Sequence, residues 1–297
     1  MAQECGVAAT AKTMGVSHST VERNCRRYRS VAGISKKISP PKILLLDIET
    51  TPMEVYVWGL SKNDYISPTF VLKDYNVICY SAKWLFDSKM MHDVQTPKEA
   101  RKRDDKRVTK SIYALMDEAD IIIGHNVDRF DDRKLKARFV LNGFPPLSPY
   151  RNIDTYKIAK QFGFSSNKLD YLGKLIIRRQ KIKTDFDLWK RCLAGDKDAL
   201  KEMSVYCDGD VALLEDIYLF FRGWMKSHPN LGVWDDSDGE SCPVCLSKEL
   251  EDNGKYMSTN TNLYASKRCK KCGAYSRVPT GVIGTKARKK LLRSIPR

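Results

Sequence analysis

The stretch Ile43-Leu44-Leu45-Leu46-Asp47-Ile48-Glu49-Thr50-Thr51 decides the fold. A run this short and this aliphatic reads as a buried strand. At its end stand two acids separated by one residue. Residues two apart on a strand face the same side, so Asp47 and Glu49 project together. Two neighbouring carboxylates repel each other unless a cation lies between them. Taken alone, D-x-E is also what an ordinary strand-to-turn junction can carry.

Outward from that strand the pattern is mixed α/β. Val77–Leu85 reads as a second buried strand, and Tyr56–Trp58 is a candidate for another. Lys98–Asp117 reads as a charged helix and Asp120–Gly124 as an apolar strand. A helix from about Phe130 to Leu141 is stopped by Asn142-Gly143 and Pro145-Pro146. After a short strand, Arg151–Asp154, the remainder reads as helical. Its longest piece, Ala199–Trp224, places Met203, Tyr206, Leu213, Leu214, Ile217 and Phe221 at helical spacings. Strands early and helices late point to one α/β domain of roughly 185 residues.

Two further acidic motifs follow. In Gly124-His125-Asn126-Val127-Asp128-Arg129-Phe130-Asp131, Asp131 is preferred over Asp120, Asp128 and Asp132, because Phe130 can anchor its neighbour at a helix start. Asp128 and Asp132 are expected to be solvated or capping residues. In Tyr206-Cys207-Asp208-Gly209-Asp210, helical geometry makes Tyr206 and Asp210 an i, i+4 pair on one face, with Asp208 pointing elsewhere. Gly209 is expected to let another backbone approach closely.

Together, D-x-E, N-x-x-x-F-D and Y-x-x-x-D, in this order, resemble the DEDD exonuclease superfamily with its RNase H-like fold. They look similar to the proofreading domains of family B DNA polymerases and to stand-alone phage and bacterial exonucleases. The Tyr marks the DEDDy branch; the sister branch has His where Val205 stands. Asn152-Ile153-Asp154-Thr155, Asn167-Lys168-Leu169-Asp170-Tyr171-Leu172 and Gly195-Asp196 extend the likeness, which spans about residues 42–222. The resemblance implies a 3′→5′ exonuclease using two Mg²⁺ or Mn²⁺ ions about 3.5–4 Å apart. It implies Asp47, Glu49, Asp131 and Asp210 as the metal ligands and Tyr206 as the residue orienting the attacking water. Thr50, Asn126 and Phe130 become the implied substrate contacts. Implied partners are DNA 3′ ends, single-stranded or frayed, with replication or repair proteins beyond them. An exoribonuclease, a RuvC- or transposase-like endonuclease, and a DNA-binding regulator with a degenerate core are the alternatives.

The nine cysteines of the 297-residue chain are unevenly placed. Cys242-Pro-Val-Cys245 and Cys269-Lys-Lys-Cys272 supply four thiolates for one structural Zn²⁺, the arrangement of a zinc ribbon. The net charge of +16 is equally uneven: residues 1–42 carry +6, residues 267–297 carry +11, and the stretch between is near neutral at −1. Basic ends around a neutral body suit phosphate binding, and nucleic acid is the expected partner. Ala8–Arg29 resembles the last two helices of a helix-turn-helix, with a plain basic helical appendage as the alternative. The expected division is 1–36 helix-turn-helix-like, 42–228 exonuclease, 229–280 zinc ribbon and 281–297 basic tail. Neither a secretory signal nor an apolar run long enough to span a membrane is apparent, so a cytoplasmic, non-membrane protein is expected. His18, His92, His125 and His228 show no ligand spacing, and Lys98–Lys110 reads as a solvated helix face that could also line a single-strand channel.

Overall fold

The computed structural model describes residues 39–59, 66–179, 181–235 and 239–291, so the helix-turn-helix-like segment lies outside the described residues. Its first strands are β1 (Ile43–Thr50), β2 (Glu54–Val55), β3 (Val71–Lys73), β4 (Val77–Trp84) and β5 (Met91–Val94). They are followed by β6 (Ile121–Gly124), β7 (Arg151–Asp154) and, near the C-terminus, β8 (Leu250–Ser258), β9 (Leu263–Cys269) and β10 (Tyr275–Arg277). The helices are α1 (Pro97–Lys102), α2 (Lys106–Glu118), α3 (Asp131–Leu141), α4 (Thr155–Ala159), α5 (Leu169–Leu172), α6 (Phe186–Leu193), α7 (Lys197–Phe221) and α8 (Thr285–Arg288).

β1 is the middle strand of a five-stranded sheet ordered β5-β4-β1-β6-β7. β4 runs antiparallel to it on one side; β6, then β7, run parallel on the other. Because side chains alternate along a strand, the aliphatics of β1 split between two cores. Ile43 and Leu45 pack with Ile121, Ile123 and the α7 residues Leu214, Ile217 and Phe221. Leu44, Leu46 and Ile48 pack against Ile112 and Met116 of α2 and Leu135 and Phe139 of α3. Helices therefore cover both faces, which is why β1 and β6 are apolar without alternation. The expected α/β architecture, a mixed sheet flanked by helices with a small C-terminal module, is the one observed.

Several boundaries differ from the sequence reading. The charged helix is broken into α1 and α2 at Arg103, which adopts a left-handed φ of 54°. The break lets Asp105 turn inward. Its buried carboxylate accepts from Val77 N (2.9 Å), Arg138 Nε (2.7 Å) and Asn142 Nδ2 (2.9 Å), tying α2 to β4 and α3. Arg103 and Arg107 are likewise engaged, with Glu54 and with Asp93 and Glu99. The run is a structural joint on one side and a solvated face on the other, with Lys98, Arg101, Lys102, Lys106 and Lys110 exposed as expected. β5 follows a turn after β4 and went unread because Met91-His-Asp-Val94 is not apolar enough to signal a strand. The segment Lys181–Asp185 between α5 and α6 is irregular, not helical. The second early strand is β2, and Tyr56–Trp58 falls just beyond it.

The C-terminal module is a three-stranded antiparallel sheet, ordered β10-β9-β8, beside a small core of Cys242, Val244, Cys269 and Ala274. It sits directly on the end of α7. A Cβ at Gly223 would lie 2.2 Å from the carbonyl oxygen of Cys272, so only glycine permits the contact. Leu231 N donates to Pro243 O at 2.7 Å, and Leu231 is buried in the core under α7. Gly209, by contrast, has ordinary room: a Cβ there meets only Ile182 Cδ1, at 3.6 Å, so the close backbone approach expected from sequence is not what this glycine serves. Gly223→Ala is therefore expected to cost about 1–3 kcal/mol through forced separation of the module. Gly209→Ala should instead gain up to about 1 kcal/mol of helix propensity. Thermal unfolding of the two variants, which should move in opposite directions, checks both.

Candidate active site and four-cysteine centre

Asp47 and Glu49 follow Ile43 and Leu45 on the α7 face of β1, as the period of two requires. α7 crosses that face and brings Asp210 onto them. Carboxylate oxygens of Asp47, Glu49 and Asp210 lie within 4.8 Å of one another. Asp131 is not in that group. Beyond Leu45, β1 no longer has β6 beside it, and Asp131 Oδ1 accepts from the freed Ile48 N–H at 3.2 Å. It remains near enough to raise the Asp47 pKa by its charge. Just past Glu49 the β1–β4 register slips, a bulge that re-aims the strand end beside the acids.

The electrostatics are those of a crowded anionic crease. Burial, then repulsion from Asp131, Asp210 and Glu49, pushes Asp47 well above the usual carboxylate range. Burial also lifts Glu49 to about 8, although Lys181 pulls the other way. Asp131 rises to about 7 through burial, against the pull of the backbone N–H groups it accepts. Asp210 rises to about 6 through burial, opposed by Lys181. Asp210 Oδ1 is buried and has no hydrogen-bond partner. Three converging carboxylates, one of them with an orphaned oxygen, are a donor set of hard oxygens that fits a divalent cation such as Mg²⁺ or Mn²⁺.

Lys181 was not foreseen. Its ammonium lies 2.5 Å from Asp210 Oδ2 and 4.2 Å from the centre of the Tyr206 ring. Burial disfavours its charge, but Asp210 and Tyr206 hold its pKa above the ordinary lysine value. Its sequence context, a basic stretch read as helix, offered no signal. Tyr206 sits one turn before Asp210 on α7, buried, with its ring edge-on to Trp189 at 6.1 Å. Burial raises the Tyr206 pKa and the Lys181 ammonium opposes that rise. Cys207 Sγ approaches Asp47 Oδ2 at 3.4 Å from the same helix.

The competing acids have other work. Asp208 accepts from Ser81 Oγ (2.6 Å) and lies 3.0 Å from His92 Nδ1. Asp128 is bound by Lys157 Nζ (2.6 Å) and Asn152 Nδ2 (2.9 Å). Asp132 is not solvated but buried, held by Tyr150 and by Lys136 at 2.9 Å. Asn126 adopts φ 70°, and Asp154 fixes that turn by accepting from Asn126 N at 2.9 Å. Thr50 Oγ1 accepts from Lys134 Nζ at 3.1 Å, and the same ammonium lies over the rings of Tyr75 (3.9 Å) and Phe130 (4.7 Å). His125 bridges Thr155 Oγ1 and Asn167 O, both at 2.9 Å, and His228 binds Tyr218; these are structural roles.

A model of the RNase H superfamily, RNase_H_2, matches residues 71–221, half of the chain. The chain belongs to the RNase H superfamily. The matched part of this RNase H-like chain contains Asp131, Tyr206 and Asp210 but begins after β1, so Asp47 and Glu49 join the site through geometry. Among solved structures, the family B DNA polymerase of the hyperthermophilic archaeon Pyrobaculum calidifontis is similar at 18% identity and a TM-score of 0.42. The similarity covers 61% of this chain and 25% of the polymerase, so the chain spans about a quarter of that protein's length. No curated protein matches.

The second centre is the four-cysteine cluster. Cys242, Cys245, Cys269 and Cys272 place their sulfurs within 4.8 Å of one another, with Cys242–Cys272 and Cys245–Cys269 each at 3.6 Å. Tetrahedral Zn²⁺ with bonds of ~2.3 Å needs sulfurs ~3.8 Å apart, so the set fits. Burial pushes the Cys269 thiol up, yet backbone N–H groups of Cys272 and Lys271 hold it at about 7. Cys269 is thus biased toward the thiolate, whereas burial raises Cys242 and Cys272, so metal binding would have to displace their protons. Among the described residues, no helix is long and apolar enough to cross a membrane.

A pH dependence follows from the acid cluster. Its folded-state pKa values stand above the ~4 of an unfolded chain, so the cation-free native protein binds more protons than the unfolded one. That contribution to stability is fully present below about pH 4 and is lost as pH rises towards about 8. Cations need the ionised carboxylates. Adding Mn²⁺ to cation-depleted protein should therefore raise Tm more at pH ~8 than at pH ~5.5. Equal gains at the two pH values would place the bound cations elsewhere.

Proposed function

We propose that the protein is a metal-dependent 3′→5′ exonuclease that removes nucleotides from DNA ends. The observation carrying this reading is the convergence of Asp47, Glu49 and Asp210 within 4.8 Å, with Tyr206 one helical turn from Asp210. Asp131 completes the four acids from the start of α3. Divalent ions held by these carboxylates would neutralise charge on the scissile phosphate and favour ionised water at neutral pH. The protein's own groups have separable tasks. The Tyr206 phenol, fixed by Trp189 and by its helix, is placed to orient the attacking water. Lys181, already held to Asp210, balances negative charge beside the reacting phosphate. Beside Thr50 opens a cleft of about 450 Å³ lined by Tyr75, Lys134, Phe186 and Trp189, and by Asp185, whose carboxylate caps α6. Aromatic faces with one cation suit stacked bases and a backbone phosphate, so this cleft is assigned to the 3′-terminal nucleotides.

The division into residues 42–228 for cutting, 229–280 for a zinc ribbon and 281–297 for a basic tail is part of the same proposal. Within the ribbon, Lys267 pairs with Glu240, and Arg268 and Lys270 lie 3.9 and 4.0 Å from Glu251. Among the described residues, Lys286, Lys289 and Lys290 form no ion pair, so the tail, more than the ribbon face, is assigned to phosphate.

Digestion of 3′- and 5′-labelled single- and double-stranded DNA and RNA with Mg²⁺ or Mn²⁺ tests the activity. Release of 3′ label from DNA is expected, absent in Asp47→Ala and Asp210→Ala and largely retained in Asp208→Asn. Full loss in Asp208→Asn would mean that its hydrogen bonds to Ser81 and His92 hide a ligand. Replacing Lys286, Lys289 and Lys290 together by Glu should weaken DNA binding and flatten its salt dependence, with the cutting rate at saturating DNA preserved.

A further inference from the structure

Arg222, the C-cap residue of α7, is nine-tenths buried. Its Nε has no hydrogen-bond partner, and among the described residues no carboxylate forms an ion pair with it. Its guanidinium carbon lies 5.9 Å from the centre of the Phe86 ring, and its charge reaches Tyr218 and His228, neither of which is an anion that pairs with it. A ring face answers part of a cation's charge but none of its five N–H donors. Leaving such a group unpaired in protein is costly, so its retention points to a partner that arrives from outside.

The guanidinium lines a cavity of about 540 Å³ between the RNase H-like core and the four-cysteine module. Its walls are mainly apolar, from Pro41, Trp84, Leu231, Val244 and Leu246; Tyr218 and the cluster thiol Cys245 also line it, and no carboxylate does. Lys42, at its rim, is already paired with Glu118. Two of its residues, Phe86 (φ 69°) and Leu246 (φ 60°), hold left-handed backbone that non-glycine residues seldom adopt. Such strain gathers where the surroundings impose a shape for binding. The position is away from the acids: Arg222, at the cap of α7, follows Asp210 by twelve residues, about 18 Å along the helix axis.

We infer that this cavity binds an apolar carboxylate, its anionic end on Arg222 and its body among Trp84, Leu231 and Leu246. One unpaired monovalent cation balances one monovalent anion. A planar carboxylate can take two parallel N–H bonds from a guanidinium, whereas a phosphate dianion would need more donors than these walls supply. The volume lies within the range of small-ligand sites. The same chemistry is met in a free carboxylic acid and in the C-terminal residue of another chain, when that residue is apolar.

The test uses the full-length protein and titrates two matched pairs of probes by calorimetry. The first pair is N-acetylphenylalanine and its amide; the second is a short peptide ending in free phenylalanine and the same peptide with an amidated C-terminus. Each acid is expected to bind at least ~10-fold more tightly than its amide, because only the acid forms the charge-assisted bonds. This comparison needs no variant. Arg222→Met should abolish the acid–amide difference while leaving Tm and DNA digestion near wild type, and Leu246→Ala should weaken both members of a pair alike. Tighter binding of the peptide than of the acetyl amino acid would identify a chain terminus as the occupant, and equal binding a free acid. Equal binding of acid and amide, absence of saturable binding, or displacement of the acid by equimolar inorganic phosphate would each overturn the inference.

Discussion

The constraint on which the structure turns is the repulsion among carboxylates that the fold forces into one desolvated crease. Asp47 and Glu49 cannot turn away from each other, because the strand carrying them is fixed by aliphatics packed on both faces. Asp210 cannot withdraw either, since α7 is anchored by Leu213, Leu214 and Ile217 below it. The raised pKa values are the thermodynamic expression of that confinement. A fold that keeps an unfavourable arrangement has placed binding capacity there, and hard, closely spaced oxygens select divalent cations.

The rest of the site limits the repulsion to that one place. Asp105, Asp128, Asp132 and Asp208 are all near the sheet or its loops, and each is tied to a donor of its own. Asp154 spends its carboxylate on backbone N–H groups at the Asn126 turn and the start of α4. Among the described residues, Asp210 in the crease holds the one buried carboxylate oxygen without a hydrogen-bond partner, with Lys181 as partial compensation. The distinction between structural and chemical acids in this chain is therefore one of partners, not of residue type.

That distinction marks how far the sequence could be read. Period two placed Asp47 and Glu49 on one face, and helical period placed Tyr206 and Asp210 on one face; local geometry suffices for both. The core strands were legible because double-sided burial leaves an unbroken aliphatic run. The α1–α2 break was not, because Asp105 looks like any surface acid until Arg138, thirty-three residues away, is brought to it. Lys181 was missed for the same reason: it lies in an irregular segment whose position depends on tertiary packing. Asp128 and Asp132 read as solvated or capping acids, because the partners that occupy them, Lys157 and Tyr150, come from later in the chain.

One helix links the two ends of the molecule's chemistry. α7 runs 25 residues, about 38 Å, with Tyr206 and Asp210 near its middle and the four-cysteine module seated against Gly223 just past its end. A close backbone contact of this kind has no slack, so the module cannot shift relative to the helix without separating from it. Metal held by the four cysteines would then do more than fold a small sheet. It would brace the end of the helix that carries Asp210. The acid cluster near the middle of the helix and the four-cysteine module at its end are thereby held at a set distance.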